Sequence, residues 1–190
     1  MRIFRITTRH SQLTDVSTPH LPADLGFRTW SKISEITTSA DVDYVEFTGL
    51  DINTDKVYLI FVNARNSDTA NNNNLALYVN DDNTATNYYR AVIRGLSAGT
   101  QAGTGNESAI VQSIPAGEYY AGFLYVMLGI DGKMRAYGTQ QVSTGSDIRV
   151  QSTSVVSVNT FTNITKIRLQ ATTSLGIAQN SYFLLSKPIT

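Results

Sequence analysis

A strict alternation of apolar and polar side chains runs through the stretch Thr165-Lys166-Ile167-Arg168-Leu169-Gln170-Ala171. Ile167, Leu169 and Ala171 fall on one face of an extended chain, and the polar residues between them fall on the other. A period of two is typical of a β-strand with one buried and one solvated face. The rhythm recurs from about residue 44 to residue 185, and its runs end at Asn, Asp, Gly or Thr. The sequence therefore predicts an all-β protein.

Strands are predicted at the regular spacing that is typical of sandwiches and barrels. The later ones span residues 107–114, 118–130, 133–139, 147–157, 164–172 and 180–186. The segments 56–63 and 119–130 are apolar on both faces, so we expect them at the centre of a sheet, with 119–130 buried on both sides. Because so many one-sided strands need a shared interior, we predict an antiparallel β-sandwich, jelly-roll-like, of about ten strands.

The segments between the strands carry turn and loop signals. Asp131-Gly132 is a hairpin signal, and the run from Asn80 to Asn83 favours left-handed or Asx-turn conformations. Residues 66–74 and 96–106 are rich in Asn, Gly, Ala and Thr. We expect long surface loops there, which are either ligand-binding segments or plain connectors.

The first 40 residues differ from the rest, because their apolar side chains are scattered. We interpret residues 1–40 as an N-terminal arm or lead-in and residues 41–190 as the β-sandwich domain. Two roles stay open for the apolar residues of the lead-in: they add an edge strand to the domain, or they form an arm that crosses to a neighbouring subunit. Both would remove the same apolar surface from water; the residues are Ile3, Phe4, Ile6 and Trp30.

Composition excludes several classes of function. The chain has 15 Lys and Arg and 15 Asp and Glu, so its net charge is zero. No basic stripe interleaves with aromatic residues, as nucleic-acid binding would favour, and we expect no nucleic-acid partner. It has no cysteine, which excludes disulfides and thiolate metal sites. Its longest apolar run, residues 119–130, is shorter than the roughly 20 residues that a membrane-spanning helix needs.

Catalytic motifs are weak, and we predict no catalytic residue and no cofactor. Gly95-Leu96-Ser97-Ala98-Gly99 matches a nucleophile elbow, but no helix can easily start after it. Both histidines, His10 and His20, precede the serine, whereas the partner histidine should follow it. A polysaccharide hydrolase would need two carboxylates across a cleft. Its candidates are Glu46, Glu107 and Glu118.

The run from Asp51 to Asp55 resembles the start of a calcium-binding loop. Lys56 stands where that loop requires glycine, and Val62 stands where it requires a bidentate glutamate. A polar turn is therefore the prediction, and no metal ligand is assigned, although an ion at Asp51 and Asp55 is an open alternative.

Aromatic residues are the better indication of a binding surface. Tyr88-Tyr89 and Tyr119-Tyr120 are adjacent pairs on predicted strands, so one member of each pair must face away from the core. Exposed tyrosine suits subunit interfaces and stacking on sugar rings. Tyr88, Tyr120 and Trp30 are the predicted interface or ligand contacts.

The pattern of the chain resembles β-rich virion proteins of tailed phages and related viruses, including tail-fibre, receptor-binding and capsid-associated modules. The likeness covers about residues 44–186, where its stretches are Phe47–Asn63, Leu75–Asn80, Thr86–Tyr89, Ile164–Gln170, Leu175–Ala178 and Tyr182–Leu185. Such modules often have Gly-Ser ahead of the last strand, where this chain has Asn180-Ser181. The resemblance implies a non-enzymatic virion component that forms a symmetric homo-oligomer, and it supplies no site residues.

These observations give three hypotheses. The first is a virion structural protein, located on the capsid or tail, that assembles with itself and with other virion proteins and contributes to host attachment; a trimer is the favoured order. The second is a receptor-recognition module that binds host-surface glycan. The third, least favoured, is a polysaccharide hydrolase.

Overall fold

Strands dominate the structure, a computed structural model that describes residues 29–96, 99–105, 109–143 and 148–189. A single turn of α-helix, α1, lies at Ile52–Asp55, and a 3₁₀ turn lies at Ala85–Asn87. The strands are β1 Trp30–Thr37, β2 Tyr44–Thr48, β3 Val57–Arg65, β4 Asn73–Val79, β5 Tyr88–Leu96, β6 Gly99–Gly105, β7 Ile110–Ile114, β8 Tyr119–Leu128, β9 Lys133–Ser143, β10 Ile148–Thr160, β11 Lys166–Ala171 and β12 Tyr182–Pro188.

The strands form two antiparallel sheets. The larger sheet has eight strands in the order β1-β12-β3-β8-β9-β10-β5-β6, and the smaller has four in the order β2-β11-β4-β7. Among the described strands, only β5 to β6, β8 to β9 and β9 to β10 are consecutive within one sheet. Every other connection crosses between the sheets, as in a double-sheet jelly roll. The predicted all-β sandwich is confirmed, with twelve strands instead of about ten.

One hydrophobic core joins the inner faces of both sheets. Strand β11 lies between β2 and β4 in the smaller sheet, and its Ile167 and Leu169 are 0% exposed. Lys166 and Arg168 alternate with them and reach the solvent side. The alternation seen in the sequence therefore assigns the two faces of this strand correctly.

Two turns agree with the sequence prediction. Asp131-Gly132 lies in the tight connection between β8 and β9, and Gly132 has a φ of 73°. Asn80 and Asp81 have φ values of 52° and 64°, in the left-handed region that short polar side chains tolerate. The Asn80 side-chain oxygen also accepts a hydrogen bond from the Thr165 N–H at 2.9 Å, which ties this turn to the start of β11.

Two predictions of local structure are wrong. Residues 96–106 are not a long loop, because β6 pairs with β5 there; residues 97–98 and 106 lie outside the described residues. Strand β8 is central, between β3 and β9, but it is not buried on both faces. Its burial alternates, with Tyr119 59% exposed and Tyr120 0% exposed. An apolar run alone does not distinguish a strand buried on both sides from one with an uncovered apolar face.

The other predicted loop, residues 66–74, is anchored by the buried side chain of Asn66. Asn66 is 0% exposed, and its side-chain N–H₂ donates to the carbonyls of Asn71, Ile114 and Pro115. Strand β4 already begins at Asn73. The loop is therefore an ordered connection that the hydrogen bonds of Asn66 anchor to the rest of the fold. A ligand-binding role for it stays a prediction.

The described part of the lead-in adds an edge strand. Strand β1 is the outermost strand of the larger sheet and pairs with β12. Residues 1–28 lie outside the described residues. Beside β1, the Ile189 N–H donates to the Thr29 carbonyl at 2.8 Å. None of the helices in the described ranges has the length and apolarity to cross a membrane.

Candidate functional site

The outer face of the larger sheet carries large apolar side chains that no other element covers among the described residues. Their exposed fractions include 38% for Trp30, 42% for Phe61 and 50% for Tyr137. Phe123 and Tyr125 are half-buried beside them. We name this surface the aromatic face, and it consists of Trp30, Phe61, Phe123, Tyr125, Met127 and Tyr137.

Strand register makes the aromatic face continuous. Phe61 of β3 lies opposite Phe123 of β8, and Tyr125 of β8 lies opposite Tyr137 of β9. Side chains opposite each other in an antiparallel pair have Cβ atoms about 4.5–5.5 Å apart. Along β8, the rings of Phe123 and Tyr125 meet edge to face with centroids 5.7 Å apart. Three neighbouring strands thus present one patch of rings.

Trp30 extends this patch across the sheet. Its ring centroid lies 5.9 Å from that of Tyr125, at an interplanar angle of 52°. Trp30 is therefore the one predicted contact residue that lies on the aromatic face. Sequence reasoning missed Phe123, Tyr125 and Met127 because the run 119–130 suggested burial on both faces of β8. It singled out neither Phe61 nor Tyr137, which lie on the neighbouring strands β3 and β9.

The composition of the aromatic face matches that of protein interfaces. Tyr, Trp, Phe, Met and Arg are enriched at interface cores, and Lys, Glu and Asp are depleted there. Arg135 lies opposite Met127 at the edge of the patch, and its guanidinium is held by Asp131 at 2.7 Å. This hydrogen bond from Arg135 holds the pKa of Asp131 well below its usual range. The face offers apolar area and ring edges for binding.

The outer face of the smaller sheet is of a different kind, because its charges pair with each other. The Arg168 guanidinium donates to Glu46 at 2.7 and 2.9 Å, and Lys166 donates to Asp81 at 2.8 Å. The hydrogen bond from Lys166 lowers the pKa of Asp81. Arg168 also lies 4.3 Å from the centroid of the Tyr44 ring. These charges stabilise the surface by pairing within it.

Tyr88 and Tyr120 do not face solvent, so that prediction is wrong. Both are 0% exposed, whereas their neighbours Tyr89 and Tyr119 are 51% and 59% exposed. The Tyr88 hydroxyl donates to the carbonyl of Asp82 at 2.8 Å. The Tyr120 hydroxyl has no hydrogen-bond partner among the described residues. Burial raises the pKa of both phenols. One member of each pair does face outward, as expected, but the outward members are Tyr89 and Tyr119.

Asp51 and Asp55 use their carboxylates within the fold. Asp51 caps α1 and accepts from the Thr54 hydroxyl at 2.6 Å, a bond that lowers the pKa of Asp51. Asp55 accepts from the Tyr58 hydroxyl at 2.8 Å and from Lys187 at 2.6 Å. In the described ranges, no three His, Cys, Asp or Glu residues are grouped so that they could hold a metal ion.

Some of the catalytic candidates lie among the described residues. The serine motif lies between β5 and β6, two paired strands, instead of before a helix; Ser97 itself lies outside the described residues, as do His10 and His20. Glu46 is bound by Arg168, and Glu107 also lies outside the described residues. Glu118 is half-buried directly before β8.

Comparisons with known proteins give no family. No family model matches the chain, and no curated protein matches it. A solved structure of a protein of unknown function from Shewanella oneidensis MR-1 is similar over 84% of this chain and 76% of that chain, at 10% identity and a TM-score of 0.22. At that score the likeness establishes neither a shared fold nor a shared function.

Proposed function

We propose that this protein is a non-enzymatic structural protein of a virus particle, and that it assembles with copies of itself through the aromatic face. The aromatic face is the observation that carries the proposal, because monomeric proteins rarely expose a large contiguous apolar patch. The net charge of zero adds no long-range repulsion between copies. The resemblance of residues 44–186 to β-rich virion proteins supplies the class of particle.

A second copy of the chain is the occupant that fits the face. Side chains such as Phe61 and Tyr137 reach out of the sheet with about half of their surface exposed. Full burial of a large apolar side chain contributes about 1.5–3 kcal/mol. About half of that value remains for a side chain that is already half buried, so removing two from each of two copies should weaken their contact by about 3–6 kcal/mol, which is at least a hundredfold in affinity.

Sedimentation of the full chain tests the assembly. We expect the native protein to form a discrete oligomer, with a trimer favoured. The double variant Phe61→Thr with Tyr137→Thr should shift to monomer, and threonine preserves the strands because it suits β-structure. Tyr44→Thr is the matched control, since Tyr44 is 46% exposed on the smaller sheet. A native protein that stays monomeric at high concentration, or a double variant that assembles normally, would refute the role of the face.

Particle composition tests the virion part separately. The protein should be detected by mass spectrometry in purified virus particles at a fixed copy number, and its gene should lie beside portal, capsid or tail genes. Its absence from particles whose other structural proteins are present would refute this part of the proposal.

A further inference from the structure

A cleft opens at one end of the larger sheet, beyond the aromatic face. It has a volume of about 200 Å³. The buried residues Ala64 and Ser181 line it together with the exposed side chains of Asn63, Arg65 and Tyr119. The segment that precedes β12 forms its other side with Gln179 and Asn180.

The cleft exists because β12 is shorter than its neighbour. Strand β3 continues to Arg65, but the pairing of β12 with β3 ends at Tyr182 opposite Asn63. Before Tyr182 the chain turns at Asn180, which has a left-handed φ of 64°. The Arg65 N–H donates to the Ser181 side-chain oxygen at 3.2 Å instead of continuing the ladder. The opening is therefore set by backbone geometry.

The loop beside the cleft is held in place from several directions. The Gln179 N–H donates to the Asp41 carboxylate at 2.8 Å, and the Gln179 side-chain N–H₂ donates to the Ser39 carbonyl at 2.9 Å. The Asn180 N–H donates to the Thr38 carbonyl at 2.8 Å. These bonds fix the wall of the cleft that Gln179 and Asn180 form. The side-chain groups that this wall offers to a ligand are the Asn180 amide and the Gln179 amide oxygen.

An aromatic ring and a cation form the opposite wall. Tyr119 is 59% exposed, and the guanidinium carbon of Arg65 lies 5.5 Å from the centroid of its ring. Arg65 Nε donates to the Gly117 carbonyl at 3.0 Å, which orients the guanidinium and leaves its two terminal nitrogens without a partner among the described residues. Arg65 is the single charged side chain of the lining.

The polar groups of the cleft are free to bind a ligand. The amides of Asn63 and Asn180 make no side-chain hydrogen bond to any described residue, and the Gln179 side-chain oxygen is likewise open. Each amide offers both a donor and an acceptor, which suits neighbouring hydroxyl groups. The C–H face of a sugar ring packs on an exposed tyrosine, and a carboxylate pairs with arginine through two parallel bonds.

We propose that this cleft binds a saccharide unit that carries a carboxylate. The sugar ring lies against Tyr119, the carboxylate pairs with Arg65, and the amides bind the hydroxyls. A second tyrosine–arginine pair, on the smaller sheet, lacks the free cation that the cleft offers to a carboxylate. Tyr44 and Arg168 make a similar ring contact on the smaller sheet, but Glu46 already neutralises Arg168. This proposal uses none of the residues that define the aromatic face, so it stands apart from self-assembly.

Ligand-observed NMR titrations of the full chain test the proposal with three probes: glucuronate, glucose and acetate. Glucuronate should bind saturably, and glucose and acetate should each bind at least about tenfold more weakly, because each lacks one half of the recognition. Tyr119→Ala and Arg65→Gln should each weaken glucuronate binding by about tenfold or more. Tyr44→Ala is the matched control and should bind like the native protein.

The proposal would be overturned if the native protein showed no saturable glucuronate binding. It would also be overturned if Tyr119→Ala and Arg65→Gln bound glucuronate as tightly as the native protein does, or if acetate bound as tightly as glucuronate. Both substituted side chains are exposed, and melting temperatures verify that the variants are folded. Sedimentation of the same variants separates this test from the assembly proposal, since neither substitution should change the oligomer.

Discussion

Tyr58→Phe and Tyr120→Phe remove the same oxygen from two side chains that are both 0% exposed, and we expect opposite results. The Tyr58 hydroxyl donates to Asp55 at 2.8 Å and accepts from the Asp51 N–H at 2.8 Å. The Tyr120 hydroxyl has no partner in the described part of the chain. The comparison isolates the value of a buried hydrogen bond from the value of burial.

The magnitudes follow from these partners. A hydrogen bond to a charged group contributes about 1.5–3 kcal/mol and a neutral one about 0.5–1.5 kcal/mol, so Tyr58→Phe should lower the free energy of unfolding by about 2–4 kcal/mol. A buried hydroxyl without a partner costs about 1–3 kcal/mol. Tyr120→Phe should therefore leave the free energy of unfolding unchanged or raise it by up to about 2 kcal/mol.

Urea unfolding at 25 °C, followed by circular dichroism at one protein concentration, measures both changes. The slope with denaturant should not change, since neither variant alters the surface exposed on unfolding. At about 2–4 °C per kcal/mol for a domain of this size, Tyr58→Phe should also lower the melting temperature by roughly 4–16 °C. A loss in Tyr120→Phe as large as that in Tyr58→Phe would refute the reasoning, because the Tyr120 hydroxyl would then have a partner.

Three further expectations concern packing, pH and charge. Gly138→Ala should destabilise the protein by about 2 kcal/mol or more, because a Cβ there would lie 2.1 Å from a backbone oxygen of β8, whereas Gly95→Ala, whose nearest contact is 3.8 Å, should be tolerated in the same urea assay. Burial keeps the pKa of the Tyr58, Tyr88 and Tyr120 phenols above that of the unfolded chain. Only the unfolded state then loses these protons above about pH 10, so unfolding free energies should fall by up to about 1.4 kcal/mol per pH unit for each phenol. Glu46→Gln should lower stability by about 1–2 kcal/mol at low salt and by less at 1 M salt, since it breaks a partly buried ion pair.

Period-two patterns predicted those parts of the fold in which polarity and burial coincide. In β11 the apolar residues are inside and the charged ones outside, and most other strands lie within a few residues of their predicted bounds. The Asp131-Gly132 hairpin also follows from local chemistry, because its glycine adopts a positive φ. The sandwich architecture was predictable for the same reason, because each of these strands has one apolar face that must be buried against a second sheet.

Strand β5 shows where such patterns fail. Its sequence suggests Ile93 inside and Arg94 outside, yet Ile93 is 58% exposed, and Arg94 donates to the buried Gln151 at 2.9 Å. Arg94 can lie on the inner face here because Gln151, on the neighbouring strand β10, accepts its hydrogen bond. The two residues are 57 positions apart in the sequence, so the local pattern of β5 gives no sign of this pair. The same limit hid the cleft, whose walls come from β3, β8 and the segment before β12.

The hydrogen bond between Ile189 and Thr29 has a practical consequence. Because these two positions touch at one edge of the larger sheet, a short linker can join them without crossing the domain in a variant that keeps residues 29–189. New ends can then be opened at the Asp131-Gly132 turn, where Ile130 is fully exposed. A circularly permuted protein of this kind would carry a fused reporter at the tip of a hairpin, where it labels each copy in binding and sedimentation experiments.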